Sequence, residues 1–292
     1  MATTQASQKV ERAGNKLEGR VALVTGGTRG IGAAICRALA IQGANIAAGY
    51  SRDSEAAERL CADLANAEVE SSTHQGNIGN PDDCERTVKE VLDRHGRLDI
   101  LVNNAGYTMD APAHKISDDA WARMLDIHVT VPFKVCRAAA PHMREPAKVE
   151  RDEGREVFRK IVNTSSTSGV FGNAGQANYA AGKAGVQGLT RTLAKEWGQF
   201  KINVNCVAYG YVETRLTASK ESSNTMEIDG ETVQLGIPDQ LRSMASMLIP
   251  VGRSAQPREA AGPVLFLCSP WSNYVHGQVL NITGGQFGGM TH

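Results

Sequence analysis

Along this chain, short apolar runs alternate with longer stretches whose apolar residues recur every three or four positions. RVALVTGG (20–27) is a short β-branched run ending in glycine, and IGAAICRALAIQGA (31–44) keeps helical spacing up to a glycine stop. NIAAGY (45–50) reads as a second strand, SEAAERLCADLA (54–65) as a helix and VESSTHQGN (69–77) as a weak third strand. PDDCERTVKEVLDRHG (81–96) opens with proline and two acids and closes in His-Gly, which marks both ends of a helix. LDILVNNAG (98–106) is almost continuously apolar, as a strand buried on both faces requires. A helix over 119–143, a strand at KIVNTSS (160–166) and a helix over 177–198 continue the rhythm. INVNCVAYG (202–210) is a further strand, 257–270 a helix and GQVLNITGG (277–285) the last strand.

Strands spaced by helices of this size predict parallel βαβ units. The expected class is α/β, a single doubly wound Rossmann-type domain with a mainly parallel sheet flanked by helices. A length of 292 residues also admits two domains, but no repeat and no Pro/Gly/Ser linker divides the chain. The domain is expected over 17–289, after a flexible polar tail at 1–16. Two stretches interrupt it. Residues 144–160 carry six basic and five acidic side chains and read as a solvated helix or loop. Residues 215–250 are polar and Met-rich and lie after a late strand, where α/β proteins place substrate lids.

Composition narrows the function. Lys plus Arg and Asp plus Glu both total 31, so there is no surplus of positive charge for nucleic acid or an anionic membrane. No run reaches membrane-spanning length and the first sixteen residues hold no apolar signal core, which predicts a cytoplasmic protein. The six cysteines are never closer than 23 residues and read as buried free thiols, not as a zinc or redox motif. The seven histidines show no metal-ligand spacing, so no metal is expected, and no G-x-S-x-G elbow points to a serine hydrolase.

Two features carry chemistry. In TGGTRGIG (25–32), between the first strand and helix, Gly26, Gly30 and Gly32 let the backbone turn tightly toward an anion at a helix N-terminus. The second strand ends Tyr50-Ser51-Arg52 without a carboxylate at its tip, and Arg29 sits in the glycine turn. Arg29, Arg52 and Ser51 can clamp a 2′-phosphate, which favours NADP(H) over NAD, although Asp53 pulls the other way. The second feature is Tyr179 and Lys183, four apart on one helix face directly after the strand that bears Ser166. Carbonyl reduction by hydride needs a proton for the developing alkoxide, and a cation beside a phenol lets it serve as the acid.

TGGTRGIG (25–32), NNAG (103–106), Ser166 thirteen residues before Tyr179, and GNAGQANYAAGK (172–183) stand in one order and spacing over nearly the whole chain. In this the sequence resembles the classical short-chain dehydrogenase/reductase family, and within it the bacterial 3-oxoacyl-[acyl-carrier-protein] reductases. The resemblance implies a phosphate loop at Gly26, Thr28, Arg29, Gly30 and Ile31, and NADP selection at Ser51 and Arg52. It implies adenine contacts at Asn77 and Ile78, a ribose turn at Asn104, Ala105 and Gly106, and carboxamide contacts at Val212 and Thr214. Ser166, Tyr179 and Lys183 match the catalytic trio, the last two also reaching the cofactor ribose.

Two positions depart from the family pattern. His128 stands where the family has an Asn that binds a relay water; it either holds that water or is a packed core histidine. Tyr209 replaces a Pro before Gly210, which frees the turn and lets the ring line the pocket. The implied activity is NADPH-dependent reduction of a 3-oxoacyl thioester, on acyl carrier protein or CoA. The family's carrier-docking arginines fall at Val157 and Phe200. The alternatives are a dehydrogenase of a steroid, sugar or xenobiotic alcohol, or a non-catalytic NADP-binding sensor. Assembly as a homotetramer, through the Tyr179 helix and the last strand, is also implied by the resemblance.

Overall fold

The computed structural model describes residues 14–222, 225–228 and 231–286, so most of the expected tail and the end of the domain at 289 lie outside the described residues. Val21–Val24 (β1), Asn45–Tyr50 (β2), Ser71–Gln75 (β3), Ile100–Asn103 (β4), Arg159–Ser166 (β5) and Ile202–Tyr209 (β6) are the first six strands. Thr225–Ile228 (β7) and Glu231–Gln234 (β8) form a separate antiparallel pair, and Val279–Ile282 (β9) returns to the main sheet. The sheet runs β3-β2-β1-β4-β5-β6-β9, with every neighbouring pair parallel.

Alternation along the strands decides the two faces. Ala22 and Val24 point to the side covered by Gly30–Ile41 (α1), Ser54–Leu64 (α2) and, later in the chain, Pro257–Cys268. Val21 and Leu23 point to the side covered by Pro81–His95 (α3) and two later helices. Helix α3 has the ends its sequence announces. Asn80 caps Asp82 N–H at 3.1 Å, Pro81 begins the helix, and Gly96 ends it at φ 72°.

Edge strand β3 is polar, and a chain of side chains pins it to α3. Ser72 Oγ lies 2.8 Å from His74 Nε2 and 2.7 Å from His95 Nε2. Glu90 meets His74 Nδ1 at 3.1 Å and is itself held by Arg86 at 2.6 Å. A strand too polar to be held by apolar contacts is thus joined to the fold by hydrogen bonds.

The helix expected over 119–143 is instead three pieces. Asp118–Leu125 (α4) passes through a π-helical turn at Asp126–Thr130 into Val131–Asp152 (α5), nine residues beyond the expected end. Mixed charge does not stop α5, because pairs such as Glu145–Lys148 lie along one helix face. The solvated reading of 144–160 fails at its far end, where Arg159 and Lys160 are each only 3% exposed. Arg159 is forked onto Glu150 at 2.7 and 2.9 Å, which locks the end of α5 to the start of β5. The Lys160 ammonium is satisfied by Asn203 Oδ1, Ser272 Oγ and Asn273 Oδ1.

The remaining elements are Ser168–Phe171 (α6), Ala177–Trp197 (α7), Asp239–Leu248 (α8) and Pro257–Cys268 (α9). The β7–β8 pair and α8 occupy the 215–250 stretch. Five of the six free cysteines are buried, as expected, and Cys61 is half-buried. Among the described residues no helix is long and apolar enough to cross a membrane. Glu150→Ala leaves the Arg159 guanidinium buried without its counter-ion and is expected to cost about 3–5 kcal/mol. Chemical denaturation checks this, with Glu150→Met/Arg159→Met expected to recover most of the loss.

Candidate active site

Strands β1 and β4 are neighbours, yet the chain leaves them toward opposite edges of the sheet. That places a crevice at their carboxyl ends, the usual ligand position in open α/β sheets. The glycine turn follows β1 and Asn104–Gly106 follows β4, so two sequence-predicted segments meet there. Thr25 Oγ1 accepts from Asn104 N–H at 3.0 Å and Ala105 N–H at 3.1 Å. Asn104 Nδ2 donates back to the carbonyls of Thr25 and Gly26 at 3.0 and 3.2 Å. A Cβ on Gly32 would collide with the Gly26 carbonyl, so this turn admits only glycine there. No side chain caps α1 at Arg29 and no acid lies in its first turn, which leaves the positive end of the helix suited to a phosphate.

At the tip of β2, Ser51 and Arg52 are exposed beside the crevice. Asp53 does two things. Its Oδ1 caps α2 at Ala56 N–H, and its Oδ2 holds Arg29 at 3.0 Å. Asn77 and Ile78 occupy the turn after β3, where Asn77 N–H donates to Asp83 at 2.7 Å and the Ile78 carbonyl accepts the Cys84 thiol.

The other wall is built by β5 and α7. Ser166 ends β5, its hydroxyl accepting from Ser168 N–H at 3.2 Å and lying near enough to the Tyr179 phenol to favour the phenolate and lower the phenol's pKa. Burial opposes this more strongly and pushes Tyr179 up to about 12. Lys183, one helical turn on, lies 5.7 Å from the centre of the Tyr179 ring. It is 5% exposed, and burial draws its pKa down to about 8. Its ammonium donates to the Thr164 carbonyl at 2.8 Å. Asn178 fixes the start of α7 by donating to the Met109 carbonyl at 3.0 Å and the Ala120 carbonyl at 3.3 Å.

His128 comes to the same place. Its ring meets Tyr179 edge to face with centroids 5.0 Å apart. Nε2 donates to the Tyr107 carbonyl at 2.8 Å, while Nδ1 is buried with no protein partner. Burial, then the Lys183 charge, holds its pKa well below the usual histidine value, so the ring is neutral and Nδ1 offers a lone pair. The π-helical turn carries the ring inward, and Gly106 and Gly182 make room for it. A Cβ on Gly106 would sit 2.5 Å from His128 Cε1, and one on Gly182 2.9 Å from His128 Cβ.

Beyond β6, the Thr217 hydroxyl ties the expected carboxamide segment into a knot. It donates to the Val212 carbonyl at 2.5 Å and accepts from Thr214 N–H at 2.9 Å. Thr214 stands over the start of α1, its methyl 3.7 Å from where a Gly30 Cβ would be. Tyr209 does not line the crevice as expected. Its ring is buried in the core, and its hydroxyl donates to the Ala260 carbonyl on α9 at 2.8 Å. A phenol with an apolar body and one buried acceptor is held better there than in an open cleft. Sequence reasoning missed Thr25, Thr164, Asn178 and Thr217. Only Asn178 carried a signal, as a polar residue at a position its helix buries.

The sequence pattern of the short chain dehydrogenases matches residues 20–225. The chain is 36% identical over 270 residues to a 3-oxoacyl-[acyl-carrier-protein] reductase of Thermotoga maritima, covering 92% of this chain and 98% of that one. Its fold is similar to a short chain dehydrogenase from Burkholderia cenocepacia in complex with NADP, with TM-score 0.78, 28% identity and 93% and 99% of the two chains covered. A structure described as an NAD(P)-dependent gluconate 5-dehydrogenase from Beutenbergia cavernae, with bound NADP, gives TM-score 0.79 at 31% identity, covering 93% and 98%. Pattern, identity and fold agree, and the chain belongs to the short chain dehydrogenase family.

Proposed function

We propose that the protein is an NADPH-dependent reductase of 3-oxoacyl thioesters, forming the 3-hydroxyacyl thioester. The reading rests above all on the convergence of Ser166, Tyr179 and Lys183 at the switch-point crevice, opposite a glycine turn fit for phosphate. It is supported by the similarity to the Thermotoga maritima reductase. Gly26, Thr28, Arg29, Gly30 and Ile31 would hold the pyrophosphate, and Ser51 and Arg52 the 2′-phosphate. Asn77 and Ile78 would flank the adenine, and Asn104, Ala105 and Gly106 the riboses. Val212 and Thr214 would take the carboxamide in place of Thr217. When bound, the dinucleotide supplies the hydride.

Ser166 donates to the substrate carbonyl oxygen and orients it toward Tyr179. An alkoxide formed there is a far stronger base than a phenolate, so a phenol near 12 gives up its proton downhill. Lys183 steadies the phenolate with its charge, and its ammonium, held at the Thr164 carbonyl, would also donate to the cofactor ribose when the dinucleotide is bound. His128 takes no proton itself; its Nδ1 lone pair holds the water that resupplies the pair. The exposed Met244, Met247 and Leu248 of α8 offer an apolar surface suited to an acyl chain. Arg155 and Lys201, near the docking positions Val157 and Phe200, are paired with Glu153 and Glu156, so a carrier protein gains no surplus of positive charge there. Exposed Phe266 and Leu280, on α9 and β9, offer apolar surface for self-association, in keeping with the homotetramer that the resemblance implies. A sugar-acid substrate is the second reading, favoured by the likeness to the gluconate dehydrogenase.

A panel of acetoacetyl-CoA, acetoacetyl-carrier protein and keto-sugar acids, followed by NADPH absorbance, tests the substrate class. Turnover of the thioesters is expected, with Tyr179→Phe lowering it by about 10²–10⁴-fold. An unchanged Tyr179→Phe rate would remove the proposed acid. Reduction should also fall as pH rises past about 8, where Lys183 loses its charge, and hold below it. A flat profile from pH 7 to 9.5 contradicts that role. His128→Asn should retain turnover and His128→Ala should slow it, as measured by kcat at fixed pH.

A further inference from the structure

At the mouth of the cofactor crevice one arginine holds an anchored carboxylate, and a second stands within electrostatic reach of both. Arg29, at the start of α1, is paired with Asp53 Oδ2 at 3.0 Å. Asp53 cannot swing away freely, because its other oxygen caps α2 through Ala56 N–H at 2.9 Å. The second arginine is Arg215, the residue after Thr214, whose methyl group lies over Gly30 at the N-terminus of α1. Arg215 sits in the field of both Arg29 and Asp53. Burial and the like charge of Arg29 lower its pKa, and the Asp53 charge opposes them. One of its nitrogens, Nη2, donates to the Thr225 carbonyl at 2.8 Å, the first residue of β7.

This arrangement is electrostatically incomplete. Asp53 is paired with Arg29 alone, so the repulsion among Arg215, Arg29 and the positive end of α1 is relieved by an anion placed between the two guanidinium groups. The anion must lie on the Asp53 side, where β2 ends, and not under the centre of the glycine turn. A phosphate ester on the ribose nearest β2 meets that requirement, and guanidinium forks match its oxygens.

We propose that Arg215 is a specificity-determining residue for the 2′-phosphate of NADP(H), closing over it opposite Arg29 and drawing strand β7 along through Thr225. The inference rests on the NADP reading above. Asp53 is its counterpart: it holds Arg29 when no phosphate is present and weakens the phosphate's grip when one is.

Equilibrium binding, read by quenching of protein fluorescence, tests this with NADPH and NADH on the full-length protein. Arg215→Met keeps an unbranched stem and removes the guanidinium group with its charge. It should weaken NADPH about tenfold and NADH by less than twofold. Asp53→Asn keeps the α2 cap and removes the charge, and should tighten NADPH while leaving NADH unchanged. Raising the salt concentration should narrow the gap between wild type and Arg215→Met. Limited proteolysis adds a readout independent of affinity. Saturating NADPH should protect strand β7, Thr225–Ile228, in the wild type and not in Arg215→Met. Equal weakening of both cofactors by Arg215→Met would move the contact to the pyrophosphate and overturn the proposal. If Arg29→Met loses NADPH preference and Arg215→Met keeps it, the Arg215 assignment falls and the NADP reading stands. A wild type with no preference for NADPH overturns both.

Discussion

The hydrogen bond from the Lys183 ammonium to the Thr164 carbonyl, 2.8 Å long, is the contact on which the candidate site depends. A lysine this deeply buried loses most of its hydration, and its charge survives near neutrality only because fixed dipoles replace water. The carbonyl can serve as a fixed dipole because β5 is paired to β6 along its whole length. The next residue extends the seam. Ser165 Oγ donates to the Lys183 carbonyl at 2.7 Å and accepts from Gln187 Nε2 at 3.0 Å. Helix α7 is thereby set against β5 in one register, and Tyr179, a turn earlier, faces Ser166 as a result. The pair inherits its rigidity from the centre of the sheet.

Below it, a run of buried amides and hydroxyls continues the same logic. Asn103 Nδ2 donates to Asn163 Oδ1 at 2.8 Å, and Asn163 Nδ2 to Thr190 Oγ1 at 2.9 Å, joining β4, β5 and α7. Buried donors aimed at fixed acceptors specify one arrangement more sharply than apolar packing does, although Asn103 Oδ1 itself is left without a protein partner. On the facing side, the π-helical turn and two glycines accommodate His128 where a smaller amide stands in the family. The imidazole keeps one nitrogen committed to Tyr107 and one lone pair open, so it differs from an amide mainly in having no second donor to offer.

Features with local causes are legible in the amino-acid sequence. The alternation of periods, the ends of α3 and the turn at 26–32 depend on a few adjacent residues and on the φ angles glycine permits. The Tyr179–Lys183 spacing also belongs to this class, since a helix alone puts i and i+4 on one face. Strand β3 reads weakly because its own propensity is poor. It is held by Ser72, His74 and His95, and His95 stands at the far end of the next helix, 23 positions after Ser72. A helix stop at 143 does not hold, because charge density does not end a helix whose charges pair along its own face.

By itself the amino-acid sequence determined a doubly wound sheet, a phosphate-ready turn and the order Ser166, Tyr179, Lys183. Each follows from backbone geometry within a few residues. The tertiary structure alone decided that Arg159 and Lys160 are buried, that Tyr209 turns into the core toward Ala260, and that Arg215 shares the field of Arg29 and Asp53. Those outcomes depend on which distant groups the fold brings within a few ångströms. Burial and pairing energies of that kind are set by partners far away in the chain, and no local pattern records them.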